Sequence, residues 1–138
     1  MASLLREMFD WIEGQAGLTA ALDWHCAELP PEALNTCAAL IQRGGEASKP
    51  KLRGSVGAYL FQVLARGEPN TNATAQDMAD AIHGVLSDRA GIILNDWEVC
   101  VVESVSEPQF LGHDARARPE YAANYVVRAF NRAAWAAV

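Results

Sequence analysis

The first pattern of hydrophobic and polar positions lies at the N-terminus and predicts an amphipathic helix. Its apolar residues recur at the i, i+3, i+4 and i+7 spacing of one helix face: Leu5, Met8, Phe9 and Ile12. Ser3 precedes them as an N-cap, while Gly14 and Gly17 supply a stop. The other side is polar and is expected to face mostly solvent: Arg6, Glu7, Asp10 and Glu13. Trp11 lies off the stripe, so it either extends the core or contacts a partner.

Three strands are predicted before the middle of the chain. The first two are Trp24–Leu29 and Cys37–Arg43, and Pro30-Pro31 marks their connection because proline cannot donate to a β-ladder. The third is Ala58–Arg66, which starts with large apolar residues on both faces. A strand that is apolar on both faces is typical of the centre of a sheet.

Between these strands, Gly44–Gly57 has almost no large apolar residue and contains three cations, Lys49, Lys51 and Arg53. Such a segment cannot bury enough surface to offset its ordering entropy, which predicts a long mobile loop or β-arm. Two interpretations of the cations stay open. They either solubilise a flexible loop, or they let an arm order against the acidic surface of a neighbouring subunit.

A second helix is predicted to follow a turn at Gly67–Asn72. Thr74 and Asp77 resemble a capping box with Asp in place of Glu. The expected buried stripe is Met78, Ile82, Val85 and Leu86, with Asp77, Asp80 and Asp88 facing water. Gly84 inside the helix suggests close packing at that position, because glycine there costs about 1 kcal/mol relative to alanine.

The last third of the chain reads as β-structure. Ile92–Leu94 forms a short strand, Asn95-Asp96 a turn, and Trp97–Glu107 a long strand paired with Tyr121–Arg132. One face of the long strand is expected to carry Trp97, Val99, Val101, Glu103 and Val105. The resulting prediction is one α+β domain over residues 1–138. It has a single mixed or antiparallel β-sheet, two helices packed on one side, and the mobile arm.

Composition agrees with a globular protein. Of the 138 residues 51% are hydrophobic and 20% are charged, and the net charge of -6 argues against a general nucleic-acid binder. The three cysteines, Cys26, Cys37 and Cys100, form no C-x-x-C pair, and no signal peptide or membrane span is visible. These observations predict a reduced cytoplasmic protein that does not contact membranes.

The sequence offers little catalytic chemistry. His25 and Cys26 are adjacent in a predicted strand and would point to opposite faces, so they make poor joint metal ligands. His113-Asp114, near Ser104 and Ser106, could suggest a triad, but a polar hairpin tip explains the same residues. His83 is expected at the surface or at the boundary of the core. No catalytic residue, cofactor site or metal site is predicted.

The segment from Pro108 to Pro119, the C-terminal hairpin, carries the most specific pattern. Glu107-Pro108-Gln109-Phe110-Leu111-Gly112-His113-Asp114, then Arg118-Pro119-Glu120-Tyr121 and Asn124–Arg128, resembles the end of bacteriophage tail-terminator and minor-capsid, head–tail joining proteins of long-tailed phages. In that family a strand ends in Pro, an aromatic, a small apolar residue and Gly-x-Asp before a polar turn. The order of upstream helices and strands is also similar, so the resemblance spans nearly the whole chain.

The resemblance implies a structural protein of the virion, assembled in the host cytoplasm, with no catalytic residues or cofactor. Family members form a ring, typically six-fold, that caps the head-proximal end of the tail tube, stops its polymerisation and joins the capsid connector. The implied partners are further copies of the chain, the tail-tube protein and the connector protein, while DNA only passes through the lumen. Two alternatives are a head-completion or connector minor capsid protein, and a small bacterial enzyme or ligand-binding domain.

Physical reasoning gives the C-terminal hairpin a role in such a ring. Phe110 and Leu111 put apolar groups beside Gly112 at a turn. They either fold back under the sheet as a cap or contact a neighbouring subunit. A ring needs two different surfaces that meet between neighbours, and a projecting hairpin and a basic arm would supply them. The candidate interface residues are Lys49, Lys51, Arg53, Phe110, Leu111, His113, Asp114, Arg116 and Arg118.

Overall fold

The computed structural model describes residues 3–15, 23–32, 36–46 and 56–132. Within these ranges, two helices and seven strands follow one another: α1 Leu4–Glu13, β1 Asp23–Cys26, β2 Cys37–Glu46, β3 Gly57–Arg66, α2 Ala73–Leu86, β4 Ala90–Ile93, β5 Trp97–Ser104, β6 Gln109–His113 and β7 Pro119–Asn131. Neither helix in these ranges is long and apolar enough to cross a membrane.

All seven strands belong to one sheet with the order β1-β2-β3-β7-β5-β4, and β6 also pairs with β7. Only the β1–β2 pair is parallel, so the sheet is mixed. Strand β7 has β3 along one side and β5 and β6 end to end along the other. The predicted α+β class is confirmed. Strand β6 was not predicted, because its residues were expected to be part of a turn.

One face of the sheet and both helices build the core. The register places Tyr59, Phe61, Val63 and Ala65 of β3 opposite Val127, Tyr125, Ala123 and Tyr121 of β7. These side chains pack with the apolar residues of both helices into one cluster. The central position of β3 and the alternation of β7 are therefore as predicted, because alternate residues of a strand share a face.

Helix α1 begins and ends where its sequence indicates. The Ser3 hydroxyl accepts a hydrogen bond from the Arg6 amide at 3.1 Å, and Gly14 is the C-cap. Glu7, one of the four polar residues expected to lie mostly on the solvent side, is instead buried. Its carboxylate accepts hydrogen bonds from the backbone amides of Asp96, at 3.0 and 3.1 Å, and Trp97, at 3.2 Å. A buried carboxylate is tolerated because these donors replace water.

The strand β5 departs from the predicted alternation. Its register with β7 shifts between Val99 and Val101, so Val99 and Val102 are buried while Cys100 is exposed. The prediction that Val101 and Glu103 share a face with Val99 is wrong because the bulge adds one residue and reverses the order of the faces beyond it. The strand also ends at Ser104 and not at Glu107.

Helix α2 keeps its predicted stripe but not its predicted cap. Met78, Ile82 and Leu86 are buried. The N-cap residue is Asn72, whose own side chain makes no capping hydrogen bond. The Thr74 hydroxyl instead accepts a hydrogen bond from the Glu68 amide at 3.2 Å. That bond closes the turn before the helix, so the predicted capping box is wrong.

The loop predicted from Gly44 to Gly57 is shorter at both ends than expected. Strands β2 and β3 pair as a hairpin as far as Glu46 and Ala58, with a register shift between Gln42 and Gly44. The three basic residues predicted for the arm lie outside the described residues: Lys49, Lys51 and Arg53.

The glycine that makes the close approach is Gly67, and not Gly84 as predicted. A Cβ built on Gly67 would lie 2.7 Å from the Thr74 hydroxyl oxygen and 2.8 Å from the Ala75 backbone nitrogen. Real Cβ atoms do not approach backbone so closely, so Gly67→Ala must displace the start of α2. We expect this substitution to lower the free energy of unfolding by about 1–3 kcal/mol, as overpacking does, measured by urea denaturation.

Gly84→Ala is the matched control. Gly84 is exposed within α2, and its Cβ would meet nothing within 4 Å. We expect this variant to be about 0.5–1 kcal/mol more stable, because alanine costs less backbone entropy in a helix. If the two substitutions shift the urea midpoint in the same direction, the steric account of Gly67 is wrong.

Candidate assembly interface

Strand β6 and the first residues of β7 form the C-terminal hairpin. Phe110 pairs with Tyr121 and His113 with Pro119, and the register shifts between Phe110 and Gly112. Gly112 lies at that irregularity with φ 123°, a left-handed conformation that a side chain would strain. The tip closes because the Asp114 amide donates to the Arg118 carbonyl at 3.0 Å.

The carboxylate of Asp114 organises the tip of the hairpin. One oxygen accepts hydrogen bonds from the Arg116 and Arg118 amides, both at 2.9 Å. The other contacts the Arg118 guanidinium at 2.8 Å from Nε and 2.7 Å from the terminal nitrogen. Partial burial by itself would raise the pKa of Asp114, but these bonds and the charge of Arg118 outweigh it and lower the pKa to about 2.

Two further charged residues extend this contact into the arginine cluster, which we define as Arg66, Asp114, Arg118 and Glu120. The Nε atom of Arg66 lies 3.6 Å from the Asp114 carboxylate, and both its Nε and a terminal nitrogen lie 3.2 Å from the Glu120 carboxylate. Arg118 is 2% exposed. Two arginines and two carboxylates therefore neutralise one another where little water reaches them.

The arginine cluster also holds the link between β1 and β2. Arg66 donates to the carbonyl of Pro30 and Arg118 donates to the carbonyl of Pro31, each at 2.8 Å. Proline has no amide hydrogen, but its carbonyl is a full acceptor. The two guanidinium groups thus fix the C-terminal hairpin to a link that lies far away in the sequence.

The lowered pKa of Asp114 predicts how the stability of the fold changes at acidic pH. Asp114 titrates near 3.8 when exposed and near 2 in the folded chain. Its contribution is therefore complete above about pH 4 and is lost as the pH falls through about 2. Between pH 5 and pH 2, we expect the free energy of unfolding of wild type to fall by up to roughly 2 kcal/mol more than that of Asp114→Asn. Urea denaturation of both proteins across this range measures the difference; parallel curves would contradict it.

Phe110 and Leu111 do not fold back under the sheet. Their exposed fractions are 46% and 58%. The Phe110 ring rests against Tyr121 at 5.4 Å and His113 at 5.2 Å between centroids, so one side of it remains open. The exposed positions of both side chains contradict a cap under the sheet and leave this apolar pair accessible to a partner.

The other predicted interface residues divide into two groups. His113 and Arg116 are exposed on the hairpin. Asp114 is half-buried and Arg118 is buried, and both are engaged within the chain. Arg118 has almost no surface to offer a neighbour, so its place in the predicted interface must be corrected. Its guanidinium is engaged with the Asp114 carboxylate and the Pro31 carbonyl.

The groups considered for catalysis have other contacts. The Ser104 hydroxyl donates to the Ser106 carbonyl at 3.3 Å, and the His113 ring packs on Phe110. His83 lies 2.8 Å from the Tyr125 hydroxyl, and burial raises the pKa of that phenol. Within the described ranges, no group of three or more His, Cys, Asp or Glu residues is placed to hold a metal ion.

Sequence reasoning missed Arg66 and Glu120 as parts of the site. They lie opposite one another in β3 and β7, a pairing that the sequence does not reveal before the register is known. A usable signal was present, since Arg66 ends a strand that is otherwise almost wholly apolar. An arginine at such a position is seldom buried without a carboxylate partner.

Comparison with known proteins shows a likeness in fold. No family model matches the chain, and no curated protein does. Among solved structures, a chain in the structure titled as the virion of a native gene transfer agent (GTA) particle has a TM-score of 0.67 with 15% sequence identity. The match covers 94% of this chain and 96% of that one. The two chains therefore share one fold over almost their entire lengths.

Proposed function

We propose that this chain is a structural protein of a phage-like particle, a tail terminator that forms a ring on the head-proximal end of the tail tube. The observation that carries the proposal is the fold shared over 94% of the chain with a protein of the GTA virion. The resemblance of the C-terminal hairpin to tail terminators supports the finer assignment. The ring ends tube polymerisation and presents the surface that joins the capsid connector.

The surface chemistry fits a protein that works by assembly. Phe110 and Leu111 project from a hairpin that the arginine cluster holds in place. Preorganised apolar groups bind with a smaller loss of conformational entropy than mobile ones. The net charge of -6 limits adhesion to DNA passing through the lumen, because like charges repel.

Tail tubes provide the direct test. Tubes assembled from purified tail-tube protein are mixed with this chain and imaged by negative-stain electron microscopy, while light scattering follows tube growth. We expect a ring, six-fold in the family pattern, on one end of each tube, together with arrested growth. Buffer alone and a protein of similar size and charge serve as controls.

Two outcomes would change the assignment. Binding to purified connector but not to tube ends would favour a head-completion protein. A chain that stays monomeric and binds neither component would overturn the structural role. Single replacement of Cys26, Cys100 or His83 by alanine tests the enzyme alternative, because tube capping should survive each change.

A further inference from the structure

A second surface lies far from the C-terminal hairpin, in a cleft between α1 and the end of β4. It has a volume of about 500 Å³ and is lined by Glu7, Asp10, Trp11, Ile93, Leu94 and Asn95. We call these six residues the α1–β4 cleft. Its volume falls within the range of about 300–1,000 Å³ that is usual for sites enclosing a small ligand.

The lining combines apolar and acidic groups. Ile93 is 67% exposed and projects from β4, the outermost strand on this side of the sheet. Trp11 is half-buried and adds apolar surface, whereas Leu94 is buried and forms part of the floor; Asp10 adds an exposed carboxylate to the lining. The lining contains no basic residue. Arg6 lies 3.5 Å from Asp10, and Arg89 lies over the Trp11 ring at 5.7 Å.

The C-terminal hairpin carries the complementary groups. Phe110 and Leu111 are its exposed apolar pair in β6, and Arg116 is an exposed cation in the turn that follows β6. The Arg116 amide binds Asp114, but no carboxylate in the described part of the chain lies within ion-pair distance of its guanidinium. Apolar groups flanked by a cation thus match apolar groups flanked by the Asp10 carboxylate. The pair that Asp10 already makes with Arg6 is a surface one, with both side chains more than half exposed, so it opposes an exchange of partner only weakly.

These two surfaces cannot meet within one chain. Phe110 pairs with Tyr121 near the start of β7, while the cleft adjoins the turn before Trp97, which pairs with Asn131 at the end of β7. A strand rises about 3.3 Å per residue, so the two ends of β7 lie roughly 33 Å apart. The hairpin that fits the cleft must therefore come from another molecule.

We propose that the C-terminal hairpin of one copy docks into the α1–β4 cleft of the next copy, with Phe110 and Leu111 against Trp11 and Ile93 and with Arg116 facing Asp10. The inference rests on the proposed assembly function and names the surfaces that carry it. The contact joins two different surfaces, so a docked pair still has one free hairpin, on one copy, and one free cleft, on the other. Such a contact continues until a ring closes.

A complementation experiment tests this arrangement. Leu111→Asp disables the hairpin, and Ile93→Asp disables the cleft; both side chains are exposed, so both variants should fold. We expect each variant alone to be monomeric in sedimentation velocity. An equimolar mixture should form dimers only, because one intact hairpin meets one intact cleft and the chain of contacts then stops. Val105→Asp, at a position 61% exposed and outside both surfaces, is the control and should assemble like wild type.

A charge exchange tests the polar part of the contact. We expect Arg116→Glu and Asp10→Lys to weaken self-association by about 10-fold each, and the double variant to recover most of the loss. Unfolding in urea checks that neither change destabilises the monomer. A double variant that is weaker than both single variants would exclude the pairing of Arg116 with Asp10.

The outcomes separate this inference from the proposed function. Wild-type rings that persist in Leu111→Asp or Ile93→Asp would overturn the docking arrangement and leave ring formation standing. Self-association of Ile93→Asp alone would show that hairpins contact one another or another surface. A wild-type chain that remains monomeric at every concentration, with and without tail tubes, would overturn both.

Discussion

Replacing Arg118 with alanine should lower the free energy of unfolding by about 3–5 kcal/mol, the usual cost of removing one partner from a buried ion pair. The guanidinium is 2% exposed and lies 2.7 Å from the Asp114 carboxylate. Its loss leaves that carboxylate half-buried, and among the described residues Arg66, at 3.6 Å, is the one other cation paired with it. The Pro31 carbonyl also loses its donor. Small domains have a free energy of unfolding of about 5–15 kcal/mol, so this loss is a large fraction of the total stability.

The comparison with Arg116→Ala isolates the buried charge. Arg116 lies two residues away in the same tip, but its side chain is exposed and only its amide contacts Asp114. We expect this control to change stability by less than about 0.5 kcal/mol. Urea denaturation, followed by both tryptophan fluorescence and circular dichroism, measures the two variants. Equal losses would mean that the ion pair with Asp114 is not what stabilises the hairpin.

The fold was predictable where local periodicity decides the structure. The apolar positions of α1, β3 and β7 repeat at the helical or strand period, and each element forms close to its expected range. Strand β5 shows the limit of this reasoning. Its bulge between Val99 and Val101 reverses the faces, and a one-residue insertion of this kind leaves no mark in the hydrophobic pattern.

The candidate interface was predictable in part. For Phe110 and Leu111 two interpretations stayed open, a cap under the sheet or a contact with a neighbour, but the C-terminal hairpin itself follows from Pro, Gly and Asp around a short apolar run. The arginine cluster does not, because Arg66 and Arg118 meet only after β3 and β7 have paired. The sequence alone does not distinguish an exposed arginine from a buried one. Arg116 and Arg118 therefore looked equivalent, although the structure gives them opposite roles.

Glu7 illustrates the same limit in a helix and leads to a second prediction of large effect. Its position on α1 is polar by pattern, yet its carboxylate is buried against the turn between β4 and β5. The Asp96 and Trp97 amides point at it. These bonds join the first helix to a turn some 90 residues away, at the wall of the α1–β4 cleft.

Glu7→Ala should therefore lower the free energy of unfolding by about 2–4 kcal/mol, because two part-buried amides lose a charged acceptor and each group left unsatisfied costs about 1–3 kcal/mol. Glu7→Gln should cost less, since its amide oxygen still accepts one of the bonds. Glu13→Ala, an exposed change on the same helix, is the control and should lie within about 0.5 kcal/mol of wild type. Amide hydrogen exchange at Asp96 and Trp97 gives a local measurement, and faster exchange in Glu7→Ala alone would assign the loss to this turn. Unchanged exchange at both amides would mean that Glu7 stabilises α1 by another route.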